Sequence, residues 1–184
     1  MLSHRENFLS ALRRQGFQHV PEDYGLCALQ VEAFKTRFGH TDYESYFGAD
    51  HRFWYLEPMR TFADGRTLFV REELPPDAVV DAWGVGHSHG SEAAFHMTRM
   101  HHPLHGDISL DDVREYPFPT IMDKDIAALA SWANRTHDNG YAAVGALEMS
   151  VWETAWYLRS MEDIMIDMMT ADEKAAVLLD RVTE

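Results

Sequence analysis

The chain has 184 residues, enough for one domain with a sizeable core but short of the roughly 250 that a complete (β/α)8 barrel takes. Apolar residues make up 46% and aromatics 12%, which argues against disorder. Lys plus Arg number 16 and Asp plus Glu 30, so the net charge of −14 argues against nucleic-acid binding.

One cysteine, Cys27, leaves no intramolecular disulfide to form. The N-terminus is too charged for a signal peptide, and no segment approaches the length of a transmembrane helix. These features predict a soluble, cytoplasmic protein that makes no membrane contact.

Ser3 and Glu6 read as a capping box opening a helix with an apolar stripe at Phe8, Leu9 and Leu12, stopped by Gly16. Pro21 predicts extended or irregular chain across the following HVPEDYGLCAL. A second helix is expected over 29–38, with Val31, Phe34 and Phe38 inward and Gly39 ending it. Thr41 and Glu44 predict a short helix to Phe47. The β-prone HRFWYLEPM, a hairpin-type turn at Asp64-Gly65, and strands over 79–85 and 95–100 read as a small antiparallel excursion. Ser109 with Asp112 starts a short helix. Asp123 caps another with a stripe at Ile126, Leu129, Ala130 and Ala133, closed by Asn139-Gly140.

Residues 140–158, GYAAVGALEMSVWETAWYL, organise the rest. The uncharged run 142–147 predicts a strand covered on both faces, as in a parallel sheet. Ser150 then caps a helix with Val151, Ala155 and Leu158 on one face, and Ser160 caps a Met-rich helix. Thr170 and Glu173 predict a last helix with its stripe at Ala175, Leu178, Leu179 and Val182. In α/β folds ligands sit at the carboxyl ends of parallel strands, which singles out Glu148, Met149, Trp152 and Glu153. Glu148 there either orients a substrate or acts as general base, or it caps the following helix.

His87, His89, His96, His101, His102 and His105 crowd one stretch. An H-x-H pair on a strand shares a face and suits zinc or iron, with His101 or Asp81 as third ligand. Against that, no HExxH or CxxC accompanies it, and surface and loop histidines of an acidic protein explain the run better. No metal ligand is assigned on this basis.

Three segments in order resemble the uroporphyrinogen decarboxylase family: SHRENFLSALRRQGFQHVP; VDAWGVG with HPLHGDISLDDVREYPFP; and GYAAVGALEMSVWETAWYLRSMEDIMIDMM. The Asp-x-Trp-Gly is similar to the family's methyltransferase-like branch. The resemblance implies an α/β fold, the N-terminal portion of a (β/α)8 TIM-type barrel. Residues 1–138 would form a helical/β N-terminal cap, and 139–184 the first barrel strand and the helices after it. It implies methyl transfer between a corrinoid and a thiol or similar acceptor, with uroporphyrinogen decarboxylation as the alternative. Glu148 is then the catalytic candidate, with Met149, Trp152, Tyr24 and Trp83 binding a small-molecule substrate.

The decarboxylases' arginine-rich segment is replaced here by the acidic EDYGLCALQVE, which disfavours a polycarboxylate substrate. The family's catalytic aspartate, and the His-x-Cys and later Cys that bind zinc in its methyltransferases, fall beyond Glu184. No cofactor is therefore expected in this chain, with corrinoid or zinc belonging to the complete enzyme. A corrinoid protein is the implied partner. A non-catalytic subunit that self-associates or pairs with a complementing chain is the reading from a different class.

Overall fold

Caps and glycines set most of the element boundaries. The computed structural model describes residues 1–55, 60–90, 97–146 and 150–184. Its helices are α1 (His4–Leu12), α2 (Ala28–Phe38), α3 (Tyr43–Phe47), α4 (Leu110–Arg114), α5 (Asp123–Asp138), α6 (Val151–Arg159), α7 (Met161–Met169) and α8 (Glu173–Thr183). Its strands are β1 (His51–Tyr55), β2 (Val79–Val80), β3 (Gly86–His89), β4 (Thr98–His101) and β5 (Ala142–Ala146). Two units interleave along the chain: Met1–Leu56 with Asp123–Ala146, and Glu57–Met122 with Leu147–Glu184.

In the first unit β1 pairs with β5 in parallel, from His51 opposite Ala142 to Tyr55 opposite Ala146. The HRFWY strand therefore does not belong to an antiparallel excursion. A parallel partner must come from a distant crossover, which no local pattern announces. β5 is only partly covered, with Gly145 exposed, because β1 is its one strand neighbour among the described residues. The expectation of burial on both faces fails for that reason.

The Ser3–Glu6 capping box opens α1: Ser3 N donates to Glu6 Oε2 at 2.8 Å and Glu6 N to Ser3 Oγ at 3.2 Å. The buried residue of α1 is Asn7 rather than the apolar stripe, and Leu12 faces solvent. α2 buries Phe34 against Phe38, Tyr46 and Phe47, although Phe38 stays partly exposed, and Gly39 closes it at φ +80°. α3 is capped by Asp42, whose Oδ1 accepts from Ser45 N, not by Thr41. Thr41 is one residue too early, its carbonyl already closing a turn with Tyr43 N.

In the second unit Asp64 caps a 3-10 turn, Gly65–Leu68, in place of the expected hairpin. The Arg66 guanidinium then donates to the carbonyls of Leu74, Pro75, Pro76 and Ala78, fixing the loop that leads into β2. β2, β3 and β4 form an antiparallel sheet. Val85, Val113, Leu158, Ile164 and Leu178 are fully buried in the core packed by α4, α6, α7 and α8.

α8 is capped by Asp172, while Thr170 turns its hydroxyl back to Ile166 O at 2.9 Å. Leu178 on α8 is buried. α7 presents an exposed apolar face: Met161, Met165, Met168 and Met169 lie on one side and are 40 to 84% exposed. Among the described residues no helix is long and apolar enough to cross a membrane.

α4 carries a pH-dependent cap. Ser109 N donates to Asp112 Oδ2 at 2.7 Å, and this bond, with the Ser109 hydroxyl, holds the Asp112 carboxyl below the usual range. A depressed carboxylate adds stability that is complete above its unfolded-state value and is lost as pH falls through the folded-state value. Asp112→Asn is therefore expected to flatten the acid limb of an unfolding-versus-pH profile. Ser109→Ala should cost about 1 kcal/mol at neutral pH. Chemical denaturation across pH reads both, and an unchanged acid limb refutes the assignment.

Candidate functional site

His87, His89 and His101 of the histidine-rich stretch lie on the antiparallel sheet, and strand alternation divides them. His87 and His89 share one face of β3, while Gly86 and Ser88 share the other, buried face. His101 of β4 sits opposite Gly86 and bonds the Ser88 hydroxyl through Nε2 at 2.9 Å, so it belongs to the buried face. It is not a third ligand for the H-x-H pair. His87 is engaged at both nitrogens, with Asp81 Oδ2 at 3.0 Å and Thr98 Oγ1 at 3.1 Å. His96 lies outside the described residues.

A polar cavity of about 350 Å³ opens beside β4, lined by Glu72, Arg99, His101, His102, His105 and Asp163, among others. Glu72 accepts from His101 Nδ1 at 3.1 Å, and its other oxygen is 3.7 Å from His105 Nε2. His102 donates from Nδ1 to Tyr157 O at 2.7 Å. Imidazoles and carboxylates are the side chains that general acid–base chemistry uses.

In the first unit a tighter constellation converges on Asp50, at the amino end of β1. His4 Nδ1 stands 2.6 Å from Asp50 Oδ1 and His19 Nε2 2.8 Å from Oδ2. The Asn7 amide donates to Asp50 Oδ2 at 2.9 Å and to His19 O at 3.0 Å, and its carbonyl accepts from Gln18 N at 2.7 Å. His4 also stacks on Tyr141 with centroids 5.0 Å apart. Next to Asp50, burial pushes the His51 imidazole below its ordinary pKa; its Nδ1 has no hydrogen-bond partner. Among the described residues, His4, His19 and Asp50 are the group whose donor atoms cluster as metal ligands do, all within 4.8 Å.

No family model, curated protein or solved structure matches this chain. The site therefore rests on its own geometry.

Of the residues singled out from sequence, Glu148 and Met149 lie outside the described residues. Trp152 is on the first turn of α6, about one-third exposed. Trp83 packs partly buried on the core of the second unit. Tyr24 belongs to the first unit, its ring tilted against Phe47 with centroids 5.0 Å apart. Its hydroxyl donates to Glu22, and that carboxylate pushes the phenol pKa up. Sequence reading missed His4, Asn7, His19 and Asp50. One signal was available: His4 and Asn7 fall at i and i+3, and Asn7 puts a polar side chain beside the apolar Phe8 and Leu9.

Proposed function

We propose that the chain forms the N-terminal portion of a (β/α)8-type enzyme resembling the methyltransferase-like branch of the uroporphyrinogen decarboxylase family. In that reading it serves methyl transfer between a corrinoid and a thiol or similar acceptor. The observation that carries the reading is the parallel, in-register pairing of β1 with β5. Parallel pairs joined through long crossovers are the building units of such barrels. The carboxyl ends of both strands then open on the same side, where barrel enzymes bind their substrates. In sequence each strand is followed by Leu-Glu, at Leu56-Glu57 and Leu147-Glu148.

The thiolate-containing zinc set of the family's methyltransferases does not fit this chain. Its one cysteine, Cys27, stands at the N-cap of α2, where its amide donates to Gln30. No step is derived through that metal or through the corrinoid. The chain's own contribution is assigned to Glu148, which orients the acceptor or takes its proton, with Met149, Trp152, Trp83 and Tyr24 as substrate-binding candidates.

The expected result is no methyl transfer from methylcobalamin to a thiol, and no porphyrinogen decarboxylation, by the purified chain alone. An assembly that supplies further strands and the cysteine ligands is expected to transfer methyl groups and to lose rate on Glu148→Gln. The visible spectrum of cobalamin follows the reaction. Turnover by the chain alone, or an assembly indifferent to Glu148→Gln, overturns the assignment.

A second reading, a non-catalytic subunit that pairs with another polypeptide, is favoured by the exposed methionine face of α7. Light scattering that shows a monodisperse monomer, unchanged by Met165→Glu, rejects it.

A further inference from the structure

We propose that His4, His19 and Asp50 bind a divalent transition-metal ion of the zinc class, which clasps α1 and the segment after it to the start of β1. The site lies at the amino end of β1, opposite the end where barrel substrates bind, so the inference is independent of the proposed reaction.

Four observations support it. The donor set is two imidazole nitrogens and one carboxylate, a combination suited to zinc and its neighbours. The Asp50 side chain is fully buried, and among the described residues its ion-pair partners are the two histidines. A buried carboxylate needs a compensating charge. Asp167, the other buried aspartate, obtains one from Arg159; no Lys or Arg ion pair to Asp50 is found among the described residues.

The third observation is Asn7, itself 1% exposed. It bonds both the Asp50 carboxylate and the backbone of His19, so it holds two of the three ligands in place, as outer groups of metal sites do. The fourth is access. The side chains of His4 and His19 are 42 and 53% exposed, which gives an ion an entry path and leaves water to complete its coordination.

Bonds of about 2.1 Å put neighbouring donors of a tetrahedral ion roughly 3.4 Å apart. His4 Nδ1 and His19 Nε2 stand 2.6 and 3.0 Å from Asp50 Oδ1, and all three donors lie within 4.8 Å of one another, so the half-exposed imidazoles have to shift to seat one. With the ion bound, each ring turns a lone pair to the metal and keeps its proton on the far nitrogen.

The test uses the full chain without a histidine tag, freed of metal by a chelator and titrated with zinc alone against a chromophoric competitor. One equivalent should bind and raise the unfolding temperature. His4→Gln and His19→Gln, both at partly exposed positions, should fold as the wild type does and each weaken binding at least tenfold. Asp50→Asn should do the same wherever circular dichroism shows it folded. Absence of binding by the wild type overturns the proposal. So does binding that survives in the His4→Gln/His19→Gln double variant, because zinc would then be held by other histidines.

Discussion

Arg159→Leu is expected to be among the most destabilising single substitutions in the second unit, by about 3–5 kcal/mol. Arg159 is 4% exposed at the last turn of α6. Its Nε donates to Asp167 Oδ2 at 2.9 Å and its Nη2 reaches Oδ1 at 3.4 Å, a two-pronged pair inside the core. Its Nη1 serves the carbonyls of Leu104 and Gly106, both at 2.6 Å. One side chain therefore joins α6, α7 and the 104–106 loop.

The same junction holds Ser160 at φ +77°, a left-handed conformation that costs a non-glycine residue free energy. Ser160 Oγ and Gly106 N both bond Asp163, which lies 3.6 Å from Arg159. Removing the guanidinium strands the Asp167 carboxylate in the core and leaves two carbonyls without donors. Arg159→Lys keeps the charge but not the fork, so it should fall between wild type and Arg159→Leu. The Arg159→Leu/Asp167→Leu double variant should recover part of the loss, since no buried charge then remains unpaired. Denaturant midpoints measure all of these. A double-mutant cycle with no coupling between the two positions refutes the assignment.

What the sequence made legible is local. The boxes at Ser3–Glu6 and Ser109–Asp112, the stop at Gly39, the break at Gly140 and the start at Ser150 each depend on residues a turn or less apart. The strand at 142–147 was legible from composition and is present as Ala142–Ala146. Its partner was not, because the pairing of β1 with β5 joins segments far apart in the chain.

The Asp50 constellation draws His4 and Asn7 from α1, His19 from the loop after it and Asp50 from just before β1, with no fixed spacing to mark the set. The H-x-H pair was visible, but its meaning turned on which face His101 takes. That depends on cross-strand register, which single-strand alternation does not determine. The exchange of Thr41 for Asp42, and of Thr170 for Asp172, has a simpler cause. Several capping residues stood side by side, and hydrogen bonds in the folded chain chose between them.

The Asp-x-Trp-Gly segment, Asp81 to Gly84, forms a tightly bonded turn, and Gly84→Ala is expected to break it. Asp81 Oδ1 accepts from Trp83 N at 2.9 Å and from Val85 N at 3.0 Å, closing the turn from within. Gly84 sits at φ +90°, and a β-carbon there would run into the Tyr116 hydroxyl and lie 2.7 Å from Leu68 Cδ1. The Tyr116 hydroxyl cannot simply give way, because it donates to Trp83 O at 2.7 Å in a buried position. Burial also pushes its pKa far above the ordinary phenol value, so it remains a donor at any working pH.

A methyl group at position 84 therefore imposes left-handed strain of about 1–3 kcal/mol and displaces a buried hydrogen bond worth roughly as much again. Tyr116→Phe removes the obstructing oxygen, so Gly84→Ala should cost less in that background than in the wild type. Denaturation of the two single variants and the double variant gives the coupling. Additive effects would mean that the collision with Tyr116 is not what fixes glycine at this position.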